Sequence, residues 1–488
     1  MPSYKATLRA VCRAQTVPDL LAAIPQHTVG TAAMLVLCYL AVLPPLASLT
    51  YDKSSLYFFD SDALSFLMSS TFPYSDHWYR LMSTVIILSF LFIGYAALKL
   101  YYSLQARRCT LAGWLRGHKA VLFFGLLFGW AVVSFALSSH RFRSFFGTGY
   151  RHDGLLTYLF YIGLFCMAIQ LDQRQMRIVL EVFTATGAFL GLLCVIGSDA
   201  YTVFYGYGSG FTQSVFLQRT HYGYYLSVCL PAGLLLLLTD DPTPLNRRAG
   251  AALRLLRFAE FWLLVNSLVF NATRAAVVAA AVFLLVMNIR VLLFHRSQLI
   301  SLLCADALIL ATVLFLNTGN NLFLRTATST GYAQQLHTAI RDSRGSTTGA
   351  GEVAAAANRL TSSRYSMWRC GIRYALQKPL FGWGPDNLGE LYYADGLTYT
   401  DRPHNEFIQI AAMLGLPALG FYLCGLYHWL RGILQQSSRL DLLDFGLAMV
   451  AVSYLINSVF SNSMFYTTPY FFMLLGFAYK RSKSAALS

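Results

Sequence analysis

Long apolar runs separated by short polar intervals make up most of the chain. Runs of membrane-crossing length lie near 28–49, 81–103, 120–138, 154–171, 179–197 and 221–239, then 258–273, 275–294, 297–318, 405–427, 442–461 and 467–480. A helix needs about 20 apolar residues to cross a hydrocarbon core of about 30 Å. These runs are too long for strands and lack the alternation of a barrel, so they read as helices. The polar intervals 105–119, 172–177, 240–257 and 430–441 supply turns between them. The pattern predicts an all-α polytopic membrane protein with about 12 transmembrane helices. It divides the chain into an N-terminal membrane domain with about nine spans (1–318), an extracytoplasmic loop (319–404) and C-terminal membrane helices (405–488).

The flanks of the runs give an orientation, because Lys and Arg accumulate on the cytoplasmic side. With the N-terminus inside, the inner segments hold 20 Lys and Arg and the short outer segments hold 7. Both termini are then expected in the cytoplasm. Asp52, Asp60, Asp62 and Asp76 fall in the first outer segment. The loop before the tenth run carries Arg325, Arg341, Arg344, Arg359, Arg364, Arg369, Arg373, Lys378 and Arg402. Long loops cross largely regardless of charge, so they leave the orientation intact. Within that loop, 341–357 is rich in Ser, Thr, Gly and Ala and reads as mobile. Residues 363–377 read as an amphipathic helix, with Tyr365, Trp368, Ile372 and Leu376 on one stripe. Ser362 or Ser363 is the expected cap, and Lys378-Pro379 the stop.

Composition removes the soluble alternative. Hydrophobic residues make up 56% of the chain and charged residues 12%, against roughly 25% charged in a soluble domain. The formal net charge of +15 is spread over the flanks of the runs and forms no block, so the partner it implies is the bilayer and not a nucleic acid. Nine cysteines show no metal-type spacing, and of these Cys370 alone lies in a segment read as outside, which argues against a disulfide framework. The first 27 residues lack a clean signal-peptide core and cleavage site. A P-loop, a dinucleotide fingerprint and a GxSxG elbow are missing, and the outer face offers no metal-ligand spacing, so neither cofactor nor metal is expected.

Three outer-facing residues carry the candidate chemistry. Arg274 lies in the tight turn Asn271-Ala272-Thr273-Arg274, where a guanidinium either snorkels or holds an anion. Arg364 opens the amphipathic helix, beside free N–H groups that suit a phosphate, or else faces lipid headgroups. His404 lies in Asp401-Arg402-Pro403-His404-Asn405-Glu406 and is expected within the first turn of the tenth span. There the helix dipole keeps the ring neutral and able to accept a proton. The plain alternative is a hydrogen-bonded interfacial histidine. Arg151, Arg219, His221, Arg402 and Asn405 complete the set as candidate substrate-binding residues. Tyr201, Phe204, Tyr205 and Tyr207 precede Arg219 and read as an interfacial belt or a sugar-stacking face.

From Ser362 to about Leu423 these motifs resemble the O-antigen ligase and O-antigen polymerase superfamily, membrane glycosyltransferases of the GT-C type. The resemblance rests on Ser363-Arg364, Trp368, the stretch Lys378-Pro379-Leu380-Phe381-Gly382-Trp383-Gly384-Pro385-Asp386-Asn387, His404-Asn405 and Gly415-Leu416-Pro417. Upstream, Thr273-Arg274-Ala275-Ala276 is similar to the family's Ser-Arg-Gly turn; 149–154 and 218–225 are similar to its weaker outer motifs. The resemblance implies transfer of a glycan from undecaprenyl pyrophosphate to an acceptor glycan, lipid or protein, outside the cytoplasmic membrane and without metal or nucleotide. It assigns the pyrophosphate to Arg274 and Arg364 and the acceptor hydroxyl to His404. Ligase and polymerase branches share the motifs, so that choice stays open. A transporter or flippase suits twelve spans with both ends inside, but predicts inverted repeats and mid-membrane polar groups that are not evident. A scaffold of an envelope polysaccharide complex is a third reading.

Overall fold

The computed structural model describes residues 4–51, 73–106, 110–196, 210–239, 247–316, 321–343, 349–397 and 400–487. Asp52, Asp60, Asp62, Arg344 and the aromatics Tyr201, Phe204, Tyr205 and Tyr207 lie outside them. Among the described residues every regular element is helical. In chain order they are α1 (Tyr4–Arg13), α2 (Val17–Ala23), α3 (Gln26–Thr50), α4 (Pro73–Gln105), α5 (Leu111–Gly117), α6 (Lys119–Ala136), α7 (Arg141–Phe146) and α8 (Leu155–Ala168). Next come α9 (Gln173–Ile196), α10 (Gly210–Gln213), α11 (Arg219–Leu238), α12 (Arg247–Asn271), α13 (Arg274–Phe294) and α14 (Leu299–Leu316). The loop holds α15 (Asn321–Asp342), α16 (Gly349–Thr361), α17 (Arg364–Gln377) and α18 (Gly389–Ala394). The chain ends with α19 (Glu406–Leu414), α20 (Leu416–Gln435), α21 (Leu442–Ser458) and α22 (Thr468–Leu487).

Seven of these helices are long and apolar enough to cross a membrane by length and composition. Each of the twelve apolar runs carries helix. The protein is a multi-pass membrane protein, with α11 at the centre of its packing. From His221 to Leu238 that helix is buried all round, as expected of one with no polar face. It packs on α9, α12, α13 and α21. Lipid is the natural neighbour of the outer helices, where Leu91, Leu285, Ile300 and Phe315 are exposed.

The tenth run departs from a single span. It breaks at Gly415, whose φ of 94° lies in the left-handed region and separates α19 from α20. A side chain there would collide with the Leu380 carbonyl. The break receives the turn 378–384: Trp383 N donates to Ala412 O at 3.0 Å, Gly384 N to Met413 O at 2.9 Å, and Leu416 N to Pro379 O at 2.7 Å. Ser134 of α6 closes the joint by donating to Phe381 O (2.6 Å) and Met413 O (3.1 Å). The Gly-Trp-Gly turn therefore staples the loop to the broken helix.

The loop differs from its reading in two places. Residues 349–357 form part of α16, where Ala-rich sequence favours helix. The amphipathic helix α17 is present, but it buries Met367, Gly371, Tyr374 and Ala375, while Ile372 and Leu376 stay exposed. Its packing against α19 selects that face over the more apolar stripe.

Candidate functional site

Arg274 and Arg364 come together at a junction of two helix ends. The α12–α13 turn is fixed by Asn271, whose Nδ2 donates to Thr212 O (2.6 Å) and Arg219 O (2.9 Å) while its Oδ1 accepts from Thr273 N (3.2 Å). Arg274 starts α13 there. Across from it, Ser362 (φ 54°) and Ser363 (φ 67°) are both left-handed and turn the chain sharply from α16 into α17. Neither serine caps α17. Thr361 Oγ1 accepts from Tyr365 N at 3.0 Å, and Asn358 Oδ1 accepts from Ser366 N at 3.0 Å. Ser362 is left for Arg274, which donates through Nη2 to its Oγ at 2.5 Å and through Nη1 to Leu360 O at 3.3 Å. Arg364 donates to Phe460 O (3.2 Å) and Thr361 O (3.4 Å), both neutral acceptors. Burial, with the Arg274 charge added, pushes the proton affinity of Arg364 down. Two cations held this close favour an anion between them.

His404 lies one residue before the cap of α19, not within its first turn. Asn405 is the N-cap, and its Oδ1 accepts from Ile408 N at 3.0 Å. His404 has φ 49°, so the chain kinks at the ring. Its pKa falls from the usual 6.5 to about 3, chiefly through burial and then through the positive charges of Arg364 and Arg151. The neutral ring therefore owes its state to burial and two guanidiniums, where the sequence had suggested the helix dipole. Its Nδ1 lies 3.4 Å from Asn462 Nδ2, on the loop between α21 and α22. Asn462 Oδ1 is buried without a hydrogen-bond partner among the described residues. Turning the amide over lets that oxygen accept from Nδ1–H and leaves Nε2 as the open base.

Arg402 is engaged otherwise than expected. Its side chain is 0% exposed, and it donates to Asp153 (2.7 Å), to Asp386 and to Asp401 (3.3 Å). Arg151 is also buried and holds Asp401 through Nε (2.9 Å) and Nη2 (2.8 Å). Asp386 further accepts from Thr148 N at 2.7 Å, and Asp153 from Gln409 Nε2 at 2.6 Å. This ion cluster ties residues 148–153, the Gly-Trp-Gly turn and the His404 segment into one piece. Buried charges need such pairing. Three carboxylates face two guanidiniums, and burial lifts the Asp153 carboxyl to about 6.

Arg219 is partly buried, its Nε donating to the Asn271 carbonyl, so it braces the Arg274 turn. His221 is buried on α11 with its ring stacked on Tyr466 at 5.6 Å, and neither ring nitrogen has a hydrogen-bond partner among the described residues. Arg151 Nη1 is likewise buried and unpartnered. Below His404, Glu406 accepts from Tyr422 (2.7 Å), Tyr454 (2.7 Å) and Tyr224 (3.1 Å), which locks α19 to three other helices. Asn462 and Asp153 were not legible as site residues, since their partners are 58 to 256 positions away in sequence; Asp386 and this tyrosine cage were not, because burial and not local spacing pairs them with Arg402 and Glu406.

The family model described as O-antigen ligase matches residues 259–423. That segment, roughly a third of the chain, contains Arg274, Arg364, Arg402, His404 and Asn405. No curated protein matches the chain. The match bears out the resemblance to the O-antigen ligase and polymerase superfamily and supports a ligase- or polymerase-type role in polysaccharide biosynthesis.

Proposed function

We propose that the protein is a twelve-span glycosyltransferase of the cytoplasmic membrane, with both termini in the cytoplasm and its site on the outer face. It moves a glycan from undecaprenyl pyrophosphate to an acceptor hydroxyl. Residues 1–318 form the membrane domain, 319–404 the outer loop and 405–488 the closing helices. The observation that carries the reading is the meeting of Arg274 and Arg364 across Ser362, with a neutral His404 within the field of Arg364.

In this mechanism the two guanidiniums bind the donor pyrophosphate. His404 Nε2 takes the proton of the acceptor hydroxyl as its oxygen forms a bond to the anomeric carbon. The anomeric C–O bond breaks, and its electrons pass to the pyrophosphate oxygen, where Arg274 and Arg364 offset the developing charge. Attack opposite the leaving group inverts the anomeric centre. The donor is already activated, so no metal is required. Pyrophosphate beside Arg364 also offsets the repulsion that holds His404 deprotonated, so donor binding raises its basicity at the moment it is needed. Arg151 and His221 serve the acceptor side. Arg402, Asn405 and Arg219 position the backbone without touching substrate.

The acceptor is a glycan, lipid or protein, and a growing repeat-unit glycan as acceptor makes the enzyme a polymerase. The test uses purified protein with a radiolabelled polyprenyl-pyrophosphate glycan and EDTA present. Label should move to the acceptor. Strict dependence on a divalent ion contradicts the mechanism, and uptake into proteoliposomes without glycosidic bond formation supports a carrier instead.

A further inference from the structure

A groove of about 820 Å³ runs between α4, α6, α8 and α22, at the end of the molecule opposite His404. Ile93, Phe128, Phe165 and Phe472 line its walls, and Ala97 and Gly125 on its rim are exposed. Along α6 it extends from His118 to Phe128. At about 1.5 Å rise per residue that is about 15 Å, or half of a hydrocarbon core of about 30 Å. The groove therefore has the depth of one leaflet.

Its polar end is cationic. Lys99, Lys480 and Lys483, from two different helices, line it together. Lys99 Nζ donates to Gln26 Oε1 at 2.6 Å, Lys480 Nζ to Leu171 O at 2.6 Å, and Lys483 Nζ to the Gly117 carbonyl. These acceptors are neutral, and an ammonium has three donors. Asp172 acts on Lys480 at longer range, but no Asp or Glu is among the described residues lining the groove. Trp114, stacked on His118 at 4.7 Å, closes the same end with an aromatic pair of the kind that sits at a membrane interface.

We propose that this groove is a binding site for an anionic phospholipid. One acyl chain lies along the apolar wall, and the phosphate is held by Lys99, Lys480 and Lys483. Basic pockets between membrane helices on the cytoplasmic side favour such headgroups. The leaflet, but not the binding, rests on the orientation proposed above.

The full-length protein in neutral detergent is offered phosphatidylglycerol and phosphatidylcholine of equal chain length, and bound lipid is read by native mass spectrometry. Phosphatidylglycerol should be retained at least ~10-fold more strongly. Replacing the three lysines together (Lys99→Gln, Lys480→Gln, Lys483→Gln) should abolish that preference. Removing three exposed arginines elsewhere (Arg9→Gln, Arg13→Gln, Arg431→Gln) should not. Gly125→Phe provides a variant that keeps every charge. Gly125 lines the groove, and a Cβ there meets nothing within 4 Å, so a side chain is added at the rim without displacing the helix. Retention of phosphatidylglycerol should fall in this variant as well. Equal retention of the two lipids by the unmodified protein overturns the proposal, as does retention unaffected by the lysine and Gly125 changes. Displacement of the lipid by millimolar inorganic phosphate also overturns it, because the site then selects a soluble anion.

Discussion

Arg274 donates through Nη2 to Ser362 Oγ at 2.5 Å, joining the α12–α13 turn to the α16–α17 junction 88 residues later. Two segments that each present one cation are thus joined, as the proposed pyrophosphate site requires. Lys at 274 keeps the charge but cannot span Ser362 and Leu360 with a planar fork. Arg274→Lys should weaken donor binding about 10-fold, in line with the loss of one charge-assisted hydrogen bond. Isothermal titration with a polyprenyl-pyrophosphate glycan checks this, and Ser362→Ala should show a smaller effect of the same sign.

Asn462 is expected to act through His404. Asn462→Ala leaves Nδ1 without its neighbour, so the rate of transfer should fall roughly 10-fold, less than the ~10²–10⁴ that a positioned base itself contributes. Donor affinity should not change. Asn462→Asp supplies a carboxylate partner that favours imidazolium, so it should move the acid limb of the rate profile upward. Single-turnover rates against pH separate the two variants.

The pH dependence of the unmodified enzyme follows from the same ring. The His404 pKa is depressed to about 3 by burial, Arg364 and Arg151, so in the free protein the ring stays neutral far below 6.5. Activity expressed as kcat/KM should therefore show no loss from His404 protonation between pH 7 and pH 5. Removing one of the repelling charges with Arg364→Gln should raise the acid limb toward the ordinary histidine value, alongside its loss of donor binding. Full pH profiles of both proteins provide the check.

Arg402 is predicted to matter for folding and not for substrate. Arg402→Gln leaves buried carboxylates uncompensated, a loss of ~3–5 kcal/mol for a broken buried pair. The amount of folded protein should drop. Asp153 behaves differently because its folded pKa, about 6, lies above the usual 3.8. Its contribution to stability is fully present below the unfolded pKa and is lost as pH rises through about 6. Asp153→Asn mimics the protonated carboxyl and should remove that dependence. Thermal unfolding between pH 5 and pH 8 tests both statements.

The helical frame was legible because lipid leaves its mark as uninterrupted apolar length; each of the twelve runs carries helix. The break at Gly415 was hidden for the same reason: 405–427 stays apolar, and a left-handed φ has no hydropathy signature. At the site, local motifs singled out Arg274, Arg364 and His404. Arg402 looked alike in sequence, and its burial emerges when Asp153, 249 positions upstream, joins Asp386 and the adjacent Asp401 around it. Asn462 had no local signal, since an asparagine between two apolar runs reads as an ordinary turn.

The central claim is that His404 acts as the base while Arg274 and Arg364 hold the donor. It is tested most directly by measuring donor affinity and single-turnover transfer on equal amounts of folded unmodified protein and His404→Ala. Loss of a general base predicts a rate lower by ~10²–10⁴ with donor affinity nearly intact. Transfer by His404→Ala at the unmodified rate contradicts the account.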